Sequence, residues 1–334
     1  MTGINAAGQW VGEIKEEDGK RRAILMSQGR RIEIGTLGGS DSTANAINNQ
    51  GVVTGGALTA NNAWHAFRYD EAQGIRDLGT LGGSSSVGTA LNEAGHIVGY
   101  ADTPDGDYHA FVDSGNGMLD LGTLGGKSSY ATAINGNGHV VGAAQLPNGY
   151  RRAFLYKPGS GMIELPTLGG RISVATGVND HGVVVGASEM PNGAWHAFMY
   201  ENGRIVDLGA MIARGSSYAT GINNHGDIVG TVKVKDHDPN TFIYKNGQMR
   251  VRSVFTSLYL TRDITEEGKV IGSAYTGHQL KSGAVDSVSQ KQGFKLLDWL
   301  TFGVLAIIAG VAAFKMRNRI RKGFDLSSKM LSLA

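Results

Sequence analysis

Three histidines, His65, His109 and His196, stand at one place in a recurring segment that reads HAFRY, HAFVD and HAFMY. Imidazole ligates metals and moves protons near neutral pH. Five acids, Glu33, Asp77, Asp120, Glu164 and Asp207, recur at a second place. Paired carboxylates about 5–10 Å apart can cleave glycosides. A glycine-rich stretch, Asp120-Leu121-Gly122-Thr123-Leu124-Gly125-Gly126, invites comparison with phosphate loops, and DTPDGD at 102–107 resembles part of a calcium loop.

Recurrence argues against each of these chemistries. Leu37, Leu81, Leu124 and Leu168 occupy the same place in IGTLGG, LGTLGG, LGTLGG and LPTLGG, at spacings of 44, 43 and 44 residues. A decayed copy, LGAMI, puts Met211 another 43 on. Such a period marks a repeat architecture. Equivalent positions in neighbouring units lie about 10 Å or more apart, whereas zinc needs its ligands at about 2 Å. The histidines are therefore read as structural, bonding a backbone group of the next strand. Arg22, Arg152 and Asn240 replace them in other units. Five copies of the acid read as a repeated structural bond or a solvated edge. LGTLGG matches neither GxGxxG nor GxxxxGK[ST] and reads as turn chemistry. DTPDGD lacks the later glutamate of a calcium loop. No catalytic, cofactor-binding or metal-ligating residue is assigned.

The elements follow from two more anchors. Ile4-Asn5, Ile47-Asn48, Leu91-Asn92, Ile134-Asn135, Val178-Asn179 and Ile222-Asn223 recur at the same period, with Ile264-Thr265 as a weaker seventh copy. Each unit holds four short apolar pieces bounded by Gly, Asn or Pro, the mark of strands. We term them A to D. The A–B turn reads Asn-x-x-Gly, where asparagine bonds its own backbone two residues on and glycine supplies positive φ. Four antiparallel strands per unit make a β-propeller blade. Strand A, as in Ala131-Thr132-Ala133, carries small side chains and is expected innermost. Six full units and an A–B pair up to Tyr275 predict seven blade positions with an incomplete last blade, or six blades and a spare hairpin. The missing C–D hairpin and a signal peptide are expected upstream of Met1.

The domain plan is a propeller over 2–275, a polar linker over 276–294, a transmembrane helix over 295–314 and a basic cytoplasmic tail over 315–334. Residues 296–314 are apolar apart from Asp298 and are long enough to span a bilayer as a helix. Lys315, Arg317, Arg319, Arg321 and Lys322 follow, so this end is expected in the cytoplasm and the propeller outside, in the periplasm or at the cell surface. Gly303, Ala306, Gly310 and Ala313 share a helical face that permits self-association. The chain carries net charge +2, but residues 1–290 alone carry −4. That excludes a nucleic-acid partner, which needs a basic face. The absence of cysteine excludes disulfides and thiolate chemistry.

HAFxY, DLGTLGG and INxxG, in fixed order and spacing over 2–275, resemble the HAF-repeat family of bacterial extracellular proteins. The resemblance implies an exported protein and no known reaction. Many such proteins end in an apolar helix and basic cluster preceded by Val-Pro-Glu-Pro. This chain has the helix and cluster without that tetrapeptide, and runs on to Ala334, so a retained anchor is expected.

Function is then sought in what does not repeat. The B–C loops IKEEDGKR, LTANNAW, DTPDGDY, QLPNGY, EMPNGAW and KVKDHDPN differ and should share one face. Trp64, Tyr108, Tyr150 and Trp195 close four of them, and aromatics on such loops can bind sugars or peptides. The reading is a membrane-anchored extracytoplasmic binding or scaffolding module for a protein or glycan ligand. The alternatives are an envelope hydrolase or lyase acting on polysaccharide, and a tail-anchored cytoplasmic interaction protein.

Overall fold

A computed structural model describes residues 1–212, 215–233, 240–252, 260–276 and 279–285. Its strands form seven antiparallel sheets, six of four strands and one of three, each built from consecutive strands. Blade 4 shows the plan: Ser129–Ile134 (A), Val140–Gln145 (B), Arg151–Lys157 (C) and Gly161–Glu164 (D). Blades 1 to 3 span 3–33, 38–77 and 86–120; blades 5 to 7 span 173–207, 216–252 and 260–285. The A strands of successive blades touch one another, so they ring a common axis with D outermost. Seven blade positions are therefore present.

The seventh blade differs from the sequence expectation. Gln279–Val285 pairs with Val270–Thr276 and supplies strand C from the downstream side. The stretch read as a linker thus begins inside the sheet, and the propeller extends to 285. The helix expected at 295–314 and the tail at 315–334 lie outside the described residues. Among the described residues no helix is long and apolar enough to cross a membrane.

The core is a ring of thin layers between blades. Val98 and Ala110 of blade 3 pack with Ala131, Val140 and Phe154 of blade 4, and the same pattern recurs around the disc. Strand B is apolar on both faces because a blade covers each side; Val140 to Ala144 are all buried. The phenylalanine of HAF and its variants, Phe67, Phe111, Phe154, Phe198 and Phe242, is fully buried in blades 2 to 6. Each faces a strand-B glycine across the register, as Gly142 faces Phe154. Glycine is required there: a Cβ on Gly142 would lie 2.0 Å from the Tyr130 carbonyl oxygen and 3.0 Å from Phe154 Cε1.

Three polar belts tie neighbouring blades. The serine that opens strand A accepts from the HAF alanine of the preceding blade: Ala66 N to Ser86 Oγ at 2.8 Å, Ala110 N to Ser129 at 2.8 Å and Ala153 N to Ser173 at 2.9 Å. A bulge then turns one strand-A residue toward the next blade. Thr89 donates to Ala131 O at 2.9 Å, Thr132 to Ala175 O at 2.8 Å and Thr176 to Ala219 O at 2.9 Å. The turn asparagine makes the third belt. Asn48 Oδ1 accepts from Val52 N at 2.9 Å and its Nδ2 donates to Asn92 O at 3.1 Å. Asn5, Asn92, Asn135, Asn179 and Asn223 repeat the inter-blade bond. The expected bond two residues on is made at Gln50 N, but the bond shared by all six asparagines is the one Oδ1 accepts from the amide N–H four on, while Nδ2 donates into a different blade.

Candidate functional site

The repeated histidine and the repeated acid are partners. His65 Nδ1 lies 2.8 Å from Asp77, His109 Nδ1 2.8 Å from Asp120 and His196 Nδ1 2.9 Å from Asp207. The carboxylate also accepts from the following turn, as Asp77 does from Gly79 N and Asp120 from Gly122 N, both at 2.7 Å. In blade 4, Arg152 Nε and Glu164 make the same link at 3.1 Å. The expected backbone partner of the histidine is thus corrected to a strand-D side chain. A strand-C imidazole pins a strand-D carboxylate, which pins the turn leaving the blade. Each pair stays within its own blade, so histidines of different blades are not brought together. Among the described residues no group of three or more His, Asp or Glu is placed to hold a metal ion.

The two loop motifs are turns. In LGTLGG, Thr123 Oγ1 donates to Gly126 O at 2.8 Å, and Gly126 N bonds Gln145 O of the next blade at 2.9 Å. In DTPDGD, Thr103 N bonds Asp107 O at 2.8 Å and Gly106, at φ 76°, bonds back to Thr103 O. The first is the joint between blades, and the second is the B–C hairpin of blade 3.

The four loop aromatics are placed unequally. Trp64, Tyr108 and Trp195 open strand C at equivalent positions. Arg151, not Tyr150, holds that position in blade 4, and Arg21 holds it in blade 1. The arginines stack on aromatics: Arg21 lies 5.7 Å from the Trp64 ring centroid, Arg151 5.9 Å from Tyr108 and Arg171 5.4 Å from Tyr150. Such contacts hold both side chains in place. Trp195 stacks on Tyr218 of the next blade at 6.1 Å. Tyr108 is only 3% exposed. It packs among Tyr100, Tyr130 and Arg151, where burial pushes the Tyr100 hydroxyl up to about 12 and that of Tyr130 up as well. Tyr108 is therefore a core residue, and Trp64, Tyr150 and Trp195 are the half-buried members of the set. The stacking arginines went unrecognised in the sequence, although their alternation with aromatics at one repeat position is visible there.

One further break in the repeat lies on the axial wall. The bulge residue and its successor read Thr2-Gly3, Asn45-Ala46, Thr89-Ala90, Thr132-Ala133, Thr176-Gly177 and Thr220-Gly221, then Arg262-Asp263. Burial holds the Arg262 guanidinium below its ordinary value, and the charge of Glu13 in blade 1 acts against that. Asp263 points at Gly221, where a Cβ would fall 2.2 Å from its Oδ1. Although Asp263 reaches solvent, the surrounding protein desolvates its carboxyl and pushes it up to about 6.

Comparison with known protein families finds no match, and no curated protein matches the chain. Solved structures do. The β-propeller domain of the Trilobed protease from Pyrococcus furiosus, described as having an open velcro topology, superposes with TM-score 0.53 at 9% identity. The match covers 83% of this chain and 95% of that domain. An acylaminoacyl peptidase from Pyrococcus horikoshii superposes at TM-score 0.57 and 12% identity, over 85% of this chain and 50% of the peptidase. TolB from Acinetobacter baumannii gives TM-score 0.47 at 9% identity, over 73% of this chain and 63% of that one. The chain spans about half the length of the acylaminoacyl peptidase. The likeness to the protease's β-propeller domain shows the propeller fold.

Proposed function

We propose that the protein is a membrane-anchored, extracytoplasmic propeller that binds a protein or glycan ligand on the face of its B–C loops. The observation that carries this is the division of labour among its polar residues. The repeated His, Asp, Ser, Thr and Asn are bonded within or between blades. What varies from blade to blade is the arginine–aromatic edge at Trp64, Tyr150 and Trp195. Half-buried aromatics stiffened by arginine offer flat apolar faces at low entropic cost, which suits a sugar ring or an extended peptide. Anchoring is read from the apolar run at 296–314 and the basic cluster after it.

The test is an array of glycans and peptides probed with the full chain in detergent. Binding that weakens about tenfold or more on Trp64→Ala or Trp195→Ala is the expected result. Conversion of a bound glycan into smaller products would replace the binding module by a hydrolase or lyase. Resistance of the propeller to protease in cells whose outer envelope has been opened, with cleavage only once the inner membrane is lysed, would place it in the cytoplasm instead.

A further inference from the structure

Six of the seven seams in the ring are tied by the same bond. Asn5, Asn48, Asn92, Asn135, Asn179 and Asn223 each donate from Nδ2 to the first carbonyl of the next A–B turn, at 2.8–3.2 Å. The last of these reaches Thr265 O of blade 7. Thr265 itself holds the asparagine place in that blade. Its hydroxyl keeps the bond within the turn, accepting from Lys269 N at 3.2 Å. It has no amide arm to carry the series on to blade 1.

The carbonyl on the other side of this seam lacks its donor accordingly. Asn92 O accepts from both Gly95 N, at 2.9 Å, and Asn48 Nδ2. Its counterpart Asn5 O accepts from Gly8 N at 3.0 Å and, among the described residues, from no donor of blade 7. A second link between turns stops there too. Glu93 accepts from Asn49 N, Asp180 from Gly136 N and Glu266 from Asn224 N. The next acceptor would be Ala6, whose methyl group cannot take a bond from Glu266 N. The 3–4 seam drops this link as well, through Gly136, but keeps the asparagine bond from Asn92. Among the described residues only the 7–1 seam lacks both.

Strand A differs in the same sense. Thr89, Thr132 and Thr176 donate from the bulge to strand A of the following blade. Blade 7 puts Arg262 at that place. Burial holds its guanidinium below its ordinary pKa, and an opened seam returns water to that charge.

Local opening begins where the fewest buried bonds must be broken. We propose that the ring opens at the seam between blades 7 and 1, with blade 7 swinging off blade 1 while the other six seams stay closed. The motion opens a lateral way to the axis beside Arg262. It keeps the hydrogen bonds within each blade, so whole sheets move and none unfolds.

The chain has no cysteine, so one introduced thiol reports on one seam. Ile271, 5% exposed, pairs with Asp263 as Val141 pairs with Ala133 and Val185 with Gly177. Val141 and Val185 pack on the following blade, so this register turns Ile271 toward blade 1. In the full chain in detergent, the thiol of Ile271→Cys should react with a maleimide about tenfold or more faster than that of Val185→Cys. Adding Thr265→Asn restores a donor for Asn5 O. It should slow the Ile271→Cys thiol about tenfold, the equivalent of about 1.4 kcal/mol, and leave the Val185→Cys thiol unchanged. Asn179→Thr copies blade 7 into blade 5 and should speed the Val185→Cys thiol by a similar factor. Equal reaction rates for the two thiols would overturn the opening. So would an Ile271→Cys thiol that ignores Thr265→Asn. If the cysteine chains do not fold, thermal midpoints decide: Thr265→Asn should raise the midpoint and Thr265→Val should not, and equal midpoints for the two remove the seam bond on which the opening depends.

Discussion

Replacing Asn48 with alanine tests the asparagine belt. The side chain is 3% exposed and makes three main bonds: Oδ1 accepts from Gln50 N at 3.1 Å and Val52 N at 2.9 Å, and Nδ2 donates to Asn92 O at 3.1 Å. Water can replace the bond to the exposed Gln50. It cannot readily reach Val52 N or Asn92 O, since those residues are 4% and 5% exposed. Asn92 O keeps the bond from Gly95 N at 2.9 Å, whereas Val52 N is left without a partner; an orphaned buried group costs about 1–3 kcal/mol, so Asn48→Ala should lose roughly that much. Urea unfolding followed by circular dichroism measures this. Asn48→Asp separates the two jobs of the side chain. It keeps the acceptors within the turn but sets a carboxylate against the Asn92 carbonyl in the next blade. That carboxyl should be held above its ordinary pKa in the folded state. The variant should thus be destabilised at pH 7 and recover as pH falls through the folded pKa, where the protonated acid donates again. If Asn48→Ala costs less than about 0.5 kcal/mol, or Asn48→Asp behaves like the parent at pH 7, the asparagine serves its turn alone and the inter-blade argument fails.

Two other perturbations follow from the same geometry. Gly142→Ala should lose about 3 kcal/mol or more, because its Cβ meets the Tyr130 carbonyl at 2.0 Å. Gly182→Ala, where φ is 80° and nothing lies within 4 Å, should lose only the roughly 1–2 kcal/mol of a left-handed backbone; equal losses in urea unfolding would contradict the distinction. Asp263 bears on pH. Its folded pKa of about 6 lies above the unfolded value near 3.8, so the folded state binds the extra proton in that window. Stability should be highest below the unfolded pKa and decline as pH rises through about 6. Asp263→Asn keeps an acceptor for Ile264 N, now bonded at 2.8 Å, and should flatten the decline and raise the midpoint at pH 7. Parallel thermal-midpoint profiles for the two proteins would exclude Asp263 as the titrating group.

Much of this fold is legible in the sequence because each blade repeats the same local solution. The Asn-x-x-Gly turn, the β-branched strand B and the small strand A each point to one structure, and their period gives the blade. Inter-blade bonds are hidden by that same period. Ser129, Thr132 and Asn135 read as local turn or strand residues, yet their partners Ala110, Ala175 and Asn179 are in other blades. The His–Asp link was half visible: both residues were found, but the register that pairs His109 with Asp120 across strands C and D comes only from the fold. Tyr108 and Tyr150 show the converse. Both end polar loops, but one opens strand C and is buried by its neighbours, and the other stands one residue earlier. The third strand of blade 7 escaped because QLKSGAV has neither the aromatic nor the histidine that marks strand C elsewhere.

The repeat also supplies the standard by which the exceptions can be judged. At the axial bulge six blades carry threonine or asparagine followed by glycine or alanine, and blade 7 carries Arg262-Asp263. Small residues at the second place let neighbouring A strands approach closely: a Cβ on Gly221 would fall 2.2 Å from Asp263 Oδ1. The charge of Glu13 in blade 1 acts on Arg262. The exception therefore falls where the last blade faces the first, the one seam at which the repeat does not continue along the chain.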